Sequence, residues 1–349
     1  MSLLFSLQAR SSSPCQWERS PPIFRCANEA VHSLSEAVLS MDSAAHERTS
    51  GDGRMPWYYG ARLYLYILPT FVFIGIFAYY PSLSAIYHSF FNWNGSNIKD
   101  YVGLANFRRI FLNDRDLLVA SWHMLLFVLA NLVLQIPSIL LAVVLYHLRN
   151  KRVQYWFRMV FVIPMVVPGM VGMLLWMFIY NPQVGLLNRA LAGLGIIPSP
   201  FDGPTWLADT RLAMPSLMFM GFPYINPIAL LIYLAGLERI PRDLNDSALI
   251  DGASAWQRLV RVELPMILGQ VKLMLILGII GGVQDYGRVL IMTGGGPSDA
   301  TTVPGLIMYN TAFRYAQMGY ASAIGVVMFL VILGLTVLNM RYFRTHEAS

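Results

Sequence analysis

The sequence predicts an all-α membrane protein with six transmembrane helices, and two observations carry that prediction. The first is composition. Of 349 residues, 56% are hydrophobic and only 13% are charged, against about 45–50% and about 25% in soluble domains. The second is where the charges lie. Beyond residue 62, no Asp, Glu, Lys or Arg occurs between Arg62 and Lys99, Asp116 and Arg149, Arg158 and Arg189, Arg211 and Glu238, or Arg314 and Arg341. Each gap exceeds the ~20 apolar residues that cross a bilayer. A sixth stretch, from Glu263 to Asp285, is interrupted only by Lys272.

Residues 1–58 differ from the rest, being rich in Ser, Pro and charge with no signal-type apolar core. They are expected to be a cytoplasmic extension, either disordered or ahead of a true start at Met41 or Met55. Residues 59–345 form one six-helix domain, with spans at 63–84, 119–146, 159–180, 212–235, 266–287 and 320–341. Pro69, Pro137, Pro164, Pro168, Pro223 and Pro227 fall inside these spans. Neighbouring helices can satisfy the carbonyls that such breaks set free. With both termini cytoplasmic, the inner segments from Arg48 onward carry thirteen Lys and Arg and the outer loops eight. The positive-inside bias therefore favours that orientation in the plasma membrane.

The net charge of +6 reports orientation and gives no argument for nucleic acid. Two cysteines near one end, Cys15 and Cys26, specify neither a disulfide framework nor a metal site. The six His are scattered with no i, i+4 pair, so metal chemistry is not expected.

Most loops are nondescript, but residues 238–265 are not. Pro241 can open a helix, and Asp243 and Asp246 suit its N-terminal end. Gly252 is placed to stop it, because Gly takes the left-handed conformation cheaply. Ala253, Trp256, Leu259 and Val260 give a second helix one apolar stripe, and Pro265 closes the loop where the next span begins. A short, half-apolar helix–Gly–helix has the shape of a plug for another protein's groove.

At these residues the chain resembles the permease subunit of a type I ABC importer of the carbohydrate-uptake group, the maltose and glycerol-phosphate permease type. That family carries Glu-Ala-Ala, three residues, Gly, and after a further stretch a hydrophobe, one residue and Leu-Pro. Here Asp246-Ser247-Ala248, Gly252, and Val262 with Leu264-Pro265 occupy those positions. Ile240-Pro241, Asp251-Gly252-Ala253 and Trp256-Gln257 match the wider string. Thr293-Gly294-Gly295-Gly296-Pro297 and Gly319-Tyr320-Ala321-Ser322-Ala323 resemble two later stretches. The departures are Asp for Glu at Asp246 and Ser for Ala at Ser247.

The resemblance implies a non-catalytic membrane subunit whose 240–265 loop couples to a separate ATPase. Its implied partners are a second, different permease, two ATP-binding subunits and an extracytoplasmic sugar-binding protein. ATP and Mg would belong to the ATPase and no cofactor to this chain, which has no G-x-x-x-x-G-K-[ST] phosphate loop.

Polar residues inside spans mark a pathway or an interhelical contact. Asn131 and Gln135 share one face of the second span. Tyr224 and Asn226 flank prolines in the fourth, and Gln284, Asp285 and Tyr286 end the fifth. These seven are the substrate-pathway candidates, the Tyr224–Asn226 region first among them. For Asn131 and Gln135 interhelical bonding is the stronger reading. For Asp285 an ion pair with Arg288 stands level with a substrate role. Two alternatives, an ion-coupled secondary carrier and a stand-alone membrane enzyme, require buried charge clusters or repeated halves that the sequence does not show.

Overall fold

The computed structural model describes residues 67–342, so the expectations for residues 1–58 lie outside the described residues. The chain divides into two compact units between Gly75 and Ile76, and of the first only the opening of helix α1 is described.

Helix α1 spans Ile67–His88. A short antiparallel hairpin follows, β1 (Phe91–Trp93) on β2 (Lys99–Tyr101), with Phe91 opposite Tyr101. Helix α2 (Ala105–Arg108) runs on through a π turn to Asn113. The Asp114 carboxylate then caps α3 (Arg115–Val133) by accepting from the Leu117 amide at 3.0 Å. Helix α4 (Ile136–His147) follows almost in line, and Arg115–His147 is one apolar stretch of 33 residues. Asn150 caps α5 (Lys151–Val162), which a 3-10 turn extends to Val166 before α6 (Gly169–Ile179). Then come α7 (Leu186–Gly193), α8 (Ala213–Phe219), α9 (Pro227–Glu238), α10 (Arg242–Ile250) and α11 (Ala255–Met266). The chain continues through α12 (Leu268–Gln284), α13 (Gly287–Met292), α14 (Pro304–Phe313) and α15 (Met318–Tyr342).

Each of the six expected segments contains helix, but among the described residues only three helices are unbroken, long and apolar enough to cross a bilayer. They are Ile67–His88, Arg115–His147 and Met318–Arg341, and the number reaches five when each bent pair counts as one span. The expected 159–180 span is α5 and α6 meeting at 93°. Pro168 is the cause. The residue before a proline is driven out of the helical region, and Val167 is extended at φ −73°, ψ 124°. The expected 212–235 span is broken into α8 and α9 by Met220–Asn226. There Gly221 and Tyr224 take φ of +99° and +61°, and the Phe222–Pro223 bond is cis. By itself α9 has 12 residues, about 18 Å of helix.

Four apolar clusters hold these pieces. The largest joins α4, α9 and the start of α12 through Ala142, Leu145, Tyr233, Leu237 and Ile267. A second gathers Phe127, Tyr180, Leu217, Val289 and Leu306. A third packs Ile110 and Leu117 on Tyr320 and Ile324, and a fourth sets Val128 against Ile279 and Val283. Much apolar surface stays outside, including Leu174, Leu175 and Phe178 on α6. Lipid or a partner helix can cover such a face at no cost in stranded polar groups.

Polar contacts tie α2 and α3 to α15. The Tyr320 hydroxyl donates to Asp114 Oδ2 at 2.6 Å, and the Arg109 guanidinium lies 3.9 Å over the Tyr320 ring. One residue earlier, Gly319 sits against the β1 backbone so closely that an added Cβ would collide with the Phe91 carbonyl oxygen. Backbone cannot step aside as a flexible side chain can. Gly319→Ala is therefore expected to lower the melting temperature in detergent by an amount equivalent to about 1–3 kcal/mol. Gly172→Ala, whose methyl group meets nothing within 4 Å, is expected to leave it unchanged or raise it.

Candidate functional site

The elbow formed by residues 238–265 is built from local capping chemistry. Pro241, at φ −55° and ψ 134°, precedes α10, and Asp243 is the acid in its first turn. Asp246 lies in mid-helix, not at the N-terminal end that the sequence suggests. Helix α10 ends in a Schellman closure: the Ala253 amide donates to the Ala248 carbonyl at 3.0 Å and the Gly252 amide to Leu249 at 3.1 Å. Gly252 has φ +74° with open space around it, so conformation alone demands glycine. After a two-residue turn, Ser254 and Gln257 form a reciprocal capping box that starts α11.

Pro265 does not close the loop. A π turn, Leu259–Glu263, carries α11 through Leu264 and Pro265 to Met266, and the chain then bends by 68° into α12. The bend comes at Ile267, which is fully buried.

Three polar contacts anchor the elbow. Asn245 Nδ2 donates to the Tyr146 hydroxyl at 3.0 Å. His147 Nε2 meets Glu263 Oε1 at 3.0 Å, and Glu263 is 1% exposed. At the other end Arg158 Nη2 donates to Glu238 Oε1 at 2.8 Å. Between these anchors Asp246, Ser247, Asp251 and Gly252 are exposed, with Ala248 and Ala253 half-buried. Leu249, Ile250 and Trp256 stand out beside them, Ile250 at 86% and Trp256 at 70% exposure. Leu264 packs under the elbow against the α4–α9 cluster, and Pro265 is exposed. The arrangement is a clamped loop presenting apolar side chains and the carboxylates of Asp243, Asp246 and Asp251.

The second site is a cavity of about 620 Å³ between the end of α3, the turn that joins α5 to α6, the α8–α9 break and α12. It brings together five of the seven substrate-pathway candidates: Asn131, Gln135, Tyr224, Asn226 and Asp285, with Arg288 beside them. Gln284 and Tyr286 fall elsewhere. Gln284 is exposed, and Tyr286 stacks on Tyr309 at 5.9 Å in a separate crevice between α1, α14 and α15.

The five differ in how free they are. Gln135 is buried and committed, its Nε2 donating to the Met274 carbonyl at 2.9 Å and its Oε1 accepting from the Tyr233 hydroxyl at 3.2 Å. Asn226 caps α9 by accepting from the Ile228 and Ala229 amides. Asn131 makes no hydrogen bond among the described residues. The Tyr224 ring stands edge-on to Phe219 and Phe222, which stack on each other at 5.4 Å.

The structure adds a residue that the sequence reading omits. Ser138 Oγ accepts from the Asn226 amide at 2.9 Å and lies 3.4 Å from the Tyr224 carbonyl, and the residue is fully buried. It pins the irregular α8–α9 segment that forms one wall. Its signal in the sequence is a lone hydroxyl after Pro137 in an otherwise apolar run.

Residues 138–344 match the family described as "Binding-protein-dependent transport system inner membrane component". The chain belongs to this family. It is 33% identical to a probable ABC transporter permease protein of Bacillus subtilis, over 81% of this chain and 96% of that one. It is 30% identical to the multiple sugar-binding transport system permease protein of Streptococcus mutans, over 78% and 91%. It is also 30% identical to the trehalose/maltose transport system permease protein of Thermococcus litoralis, over 80% and 93%. Among solved structures, a bacterial alginate ABC transporter in complex with an alginate pentasaccharide-bound periplasmic protein superposes with a TM-score of 0.73. That match has 20% identity and covers 84% of this chain and 97% of the other. The fold is thus that of a type I ABC importer permease, a membrane component that works with a binding protein. In this family ATP hydrolysis resides in a separate subunit.

Removing the Ser138 hydroxyl strands the Asn226 amide at membrane depth, at a cost of about 1–3 kcal/mol. In Ser138→Ala, hydrogen–deuterium exchange is expected to show faster exchange at Tyr224–Asn226 while α12 keeps its protection.

Proposed function

We propose that this chain forms half of the translocation pathway of an ATP-driven carbohydrate importer. Its partners would be a second, non-identical permease, two ATP-binding subunits that hold ATP and Mg, and an extracytoplasmic sugar-binding protein. Both termini and the elbow would face the cytoplasm, in line with the distribution of Lys and Arg. The observation that carries this reading is the elbow. It is stopped by glycine, clamped at Glu238, Asn245 and Glu263, and apolar at the tip, which suits a groove on a partner that pushes.

The cavity supports a carbohydrate as cargo. The amides and the tyrosine that line it can meet the hydroxyls and CH faces of a sugar. The relatives from Streptococcus mutans and Thermococcus litoralis are named for sugar transport, and likeness to them points the same way. The polar candidates then act by hydrogen bonding, with Asn131 and Tyr224 facing the sugar and Gln135 and Ser138 holding the wall.

Coupling has an energetic requirement. Moving a two-state bundle from 1:99 to 99:1 takes about 5.5 kcal/mol of differential interaction. ATP can deliver it only through contacts that differ between the two states, and the elbow is the segment shaped to make them. Proline cannot adopt φ +74°, so Gly252→Pro dismantles the Schellman stop. In proteoliposomes containing the whole complex, that variant is expected to insert normally yet lose ATP-driven uptake. Normal ATP-driven uptake by the variant, or uptake driven by an ion gradient without ATP, contradicts the reading.

A further inference from the structure

We propose that Asp285 and Arg288 form a charge filter in the cavity wall, which admits neutral saccharides and rejects saccharides bearing carboxylates. The inference rests on the carbohydrate reading above and goes beyond it to the class of sugar.

Asp285 and Arg288 are the only formally charged side chains among the described residues that line the cavity. Arg288 Nη2 lies 2.9 Å from Asp285 Oδ2, with the two side chains 20% and 17% exposed. Arg288 Nη1 donates to the Leu217 carbonyl at 3.2 Å, and the guanidinium sits 5.7 Å from the Phe127 ring. The cavity therefore carries one positive and one negative charge, fixed side by side.

The pair sits at the junction of two helices. Asp285 caps the C-terminal end of α12 and lies one residue before the N-cap of α13, and Arg288 is in the first turn of α13, so the two helix ends act in opposite senses on each charge. Arg288 Nε is buried with no acceptor, a loose end of the kind that functional positions keep.

A neutral sugar suits such a pair. One hydroxyl can donate to Asp285 while a neighbouring oxygen accepts from Arg288, with no net charge to neutralise. A uronate drawn to Arg288 meets the Asp285 carboxylate at the same spot, and like charges repel strongly where water is scarce. Removing either member gives opposite results. Asp285→Asn leaves a bare cation, while Arg288→Gln leaves a bare carboxylate.

The test measures direct binding to the detergent-solubilised importer without its extracytoplasmic receptor, so that the receptor's own selectivity does not enter. The probes are labelled trehalose and maltose as neutral disaccharides, and digalacturonate as the anionic one. The wild type is expected to favour the neutral probes at least tenfold. Asp285→Asn is expected to shift the neutral-to-anionic ratio at least tenfold towards digalacturonate, and Arg288→Gln to shift it the other way. A pair that merely braces α13 against α8 would weaken all probes alike, and ratios unmoved in both variants overturn the filter. Wild-type binding that favours digalacturonate overturns it too. Binding of no saccharide of either class fails the carbohydrate reading itself, a different result from binding without charge selection.

Discussion

In an apolar layer, every backbone group released by a broken helix must find a partner within the protein, because no water is there to take its place. At the α8–α9 break a polar side chain from elsewhere makes the repair, Ser138 receiving the Asn226 amide. Two further polar side chains tie helices together, Gln135 donating to the Met274 carbonyl and the Tyr180 hydroxyl to the Ser216 carbonyl at 2.7 Å. Asn226 caps the resumed helix α9 itself. A stranded group costs about 1–3 kcal/mol, so a few unrepaired breaks would rival the total stability of a domain, about 5–15 kcal/mol. The cavity is the other side of this arrangement. Where α8 and α9 part, space opens, and Gln135 and Asn226 stand in its lining.

The same constraint separates the polar residues into two kinds. A side chain whose nitrogen and oxygen are both engaged across helices, as in Gln135, has less left to offer a ligand. The Asn131 amide and the Tyr224 hydroxyl keep theirs. Burial alone does not make this distinction, since all of them are wholly or partly covered. The hydrogen-bond partners do, and they come from helices far apart in sequence.

This explains what was legible in the sequence. The apolar segments were, because a charge-free run longer than the bilayer has few other uses. The stop at Gly252 was, because the glycine stands alone between two helical patterns. The bend between α5 and α6 was visible as Pro168, but its 93° was not, since that angle depends on how α6 then packs. Residues 212–235 read as a single span because they lack charge, although Gly221, Pro223 and Pro227 mark the break. Gln284 and Tyr286 were grouped with Asp285 by adjacency, yet successive residues around a helix end point in different directions, and only Asp285 reaches the cavity. Tyr320 with Asp114 and His147 with Glu263 join residues more than a hundred positions apart. No local pattern encodes such pairs.

Helix α12 connects the two sites, and its mechanics follow from its ends. It starts beyond Ile267, whose side chain is fully buried among Leu145, Leu237 and their neighbours, and it stops at Asp285 in the cavity wall. Its 17 residues span about 25 Å as an unbroken helix, and a helix of that length transmits displacement along its axis with little loss. Glu263, held by His147 four residues before the bend, keeps the elbow from swinging freely about it. A push on α10 and α11 therefore has few places to dissipate. It must move α12 as a rod or repack the cluster around Ile267, and both routes alter the wall that carries Asp285. On the proposed reading, the elbow that would receive force and the cavity that would hold cargo are joined by this one helix.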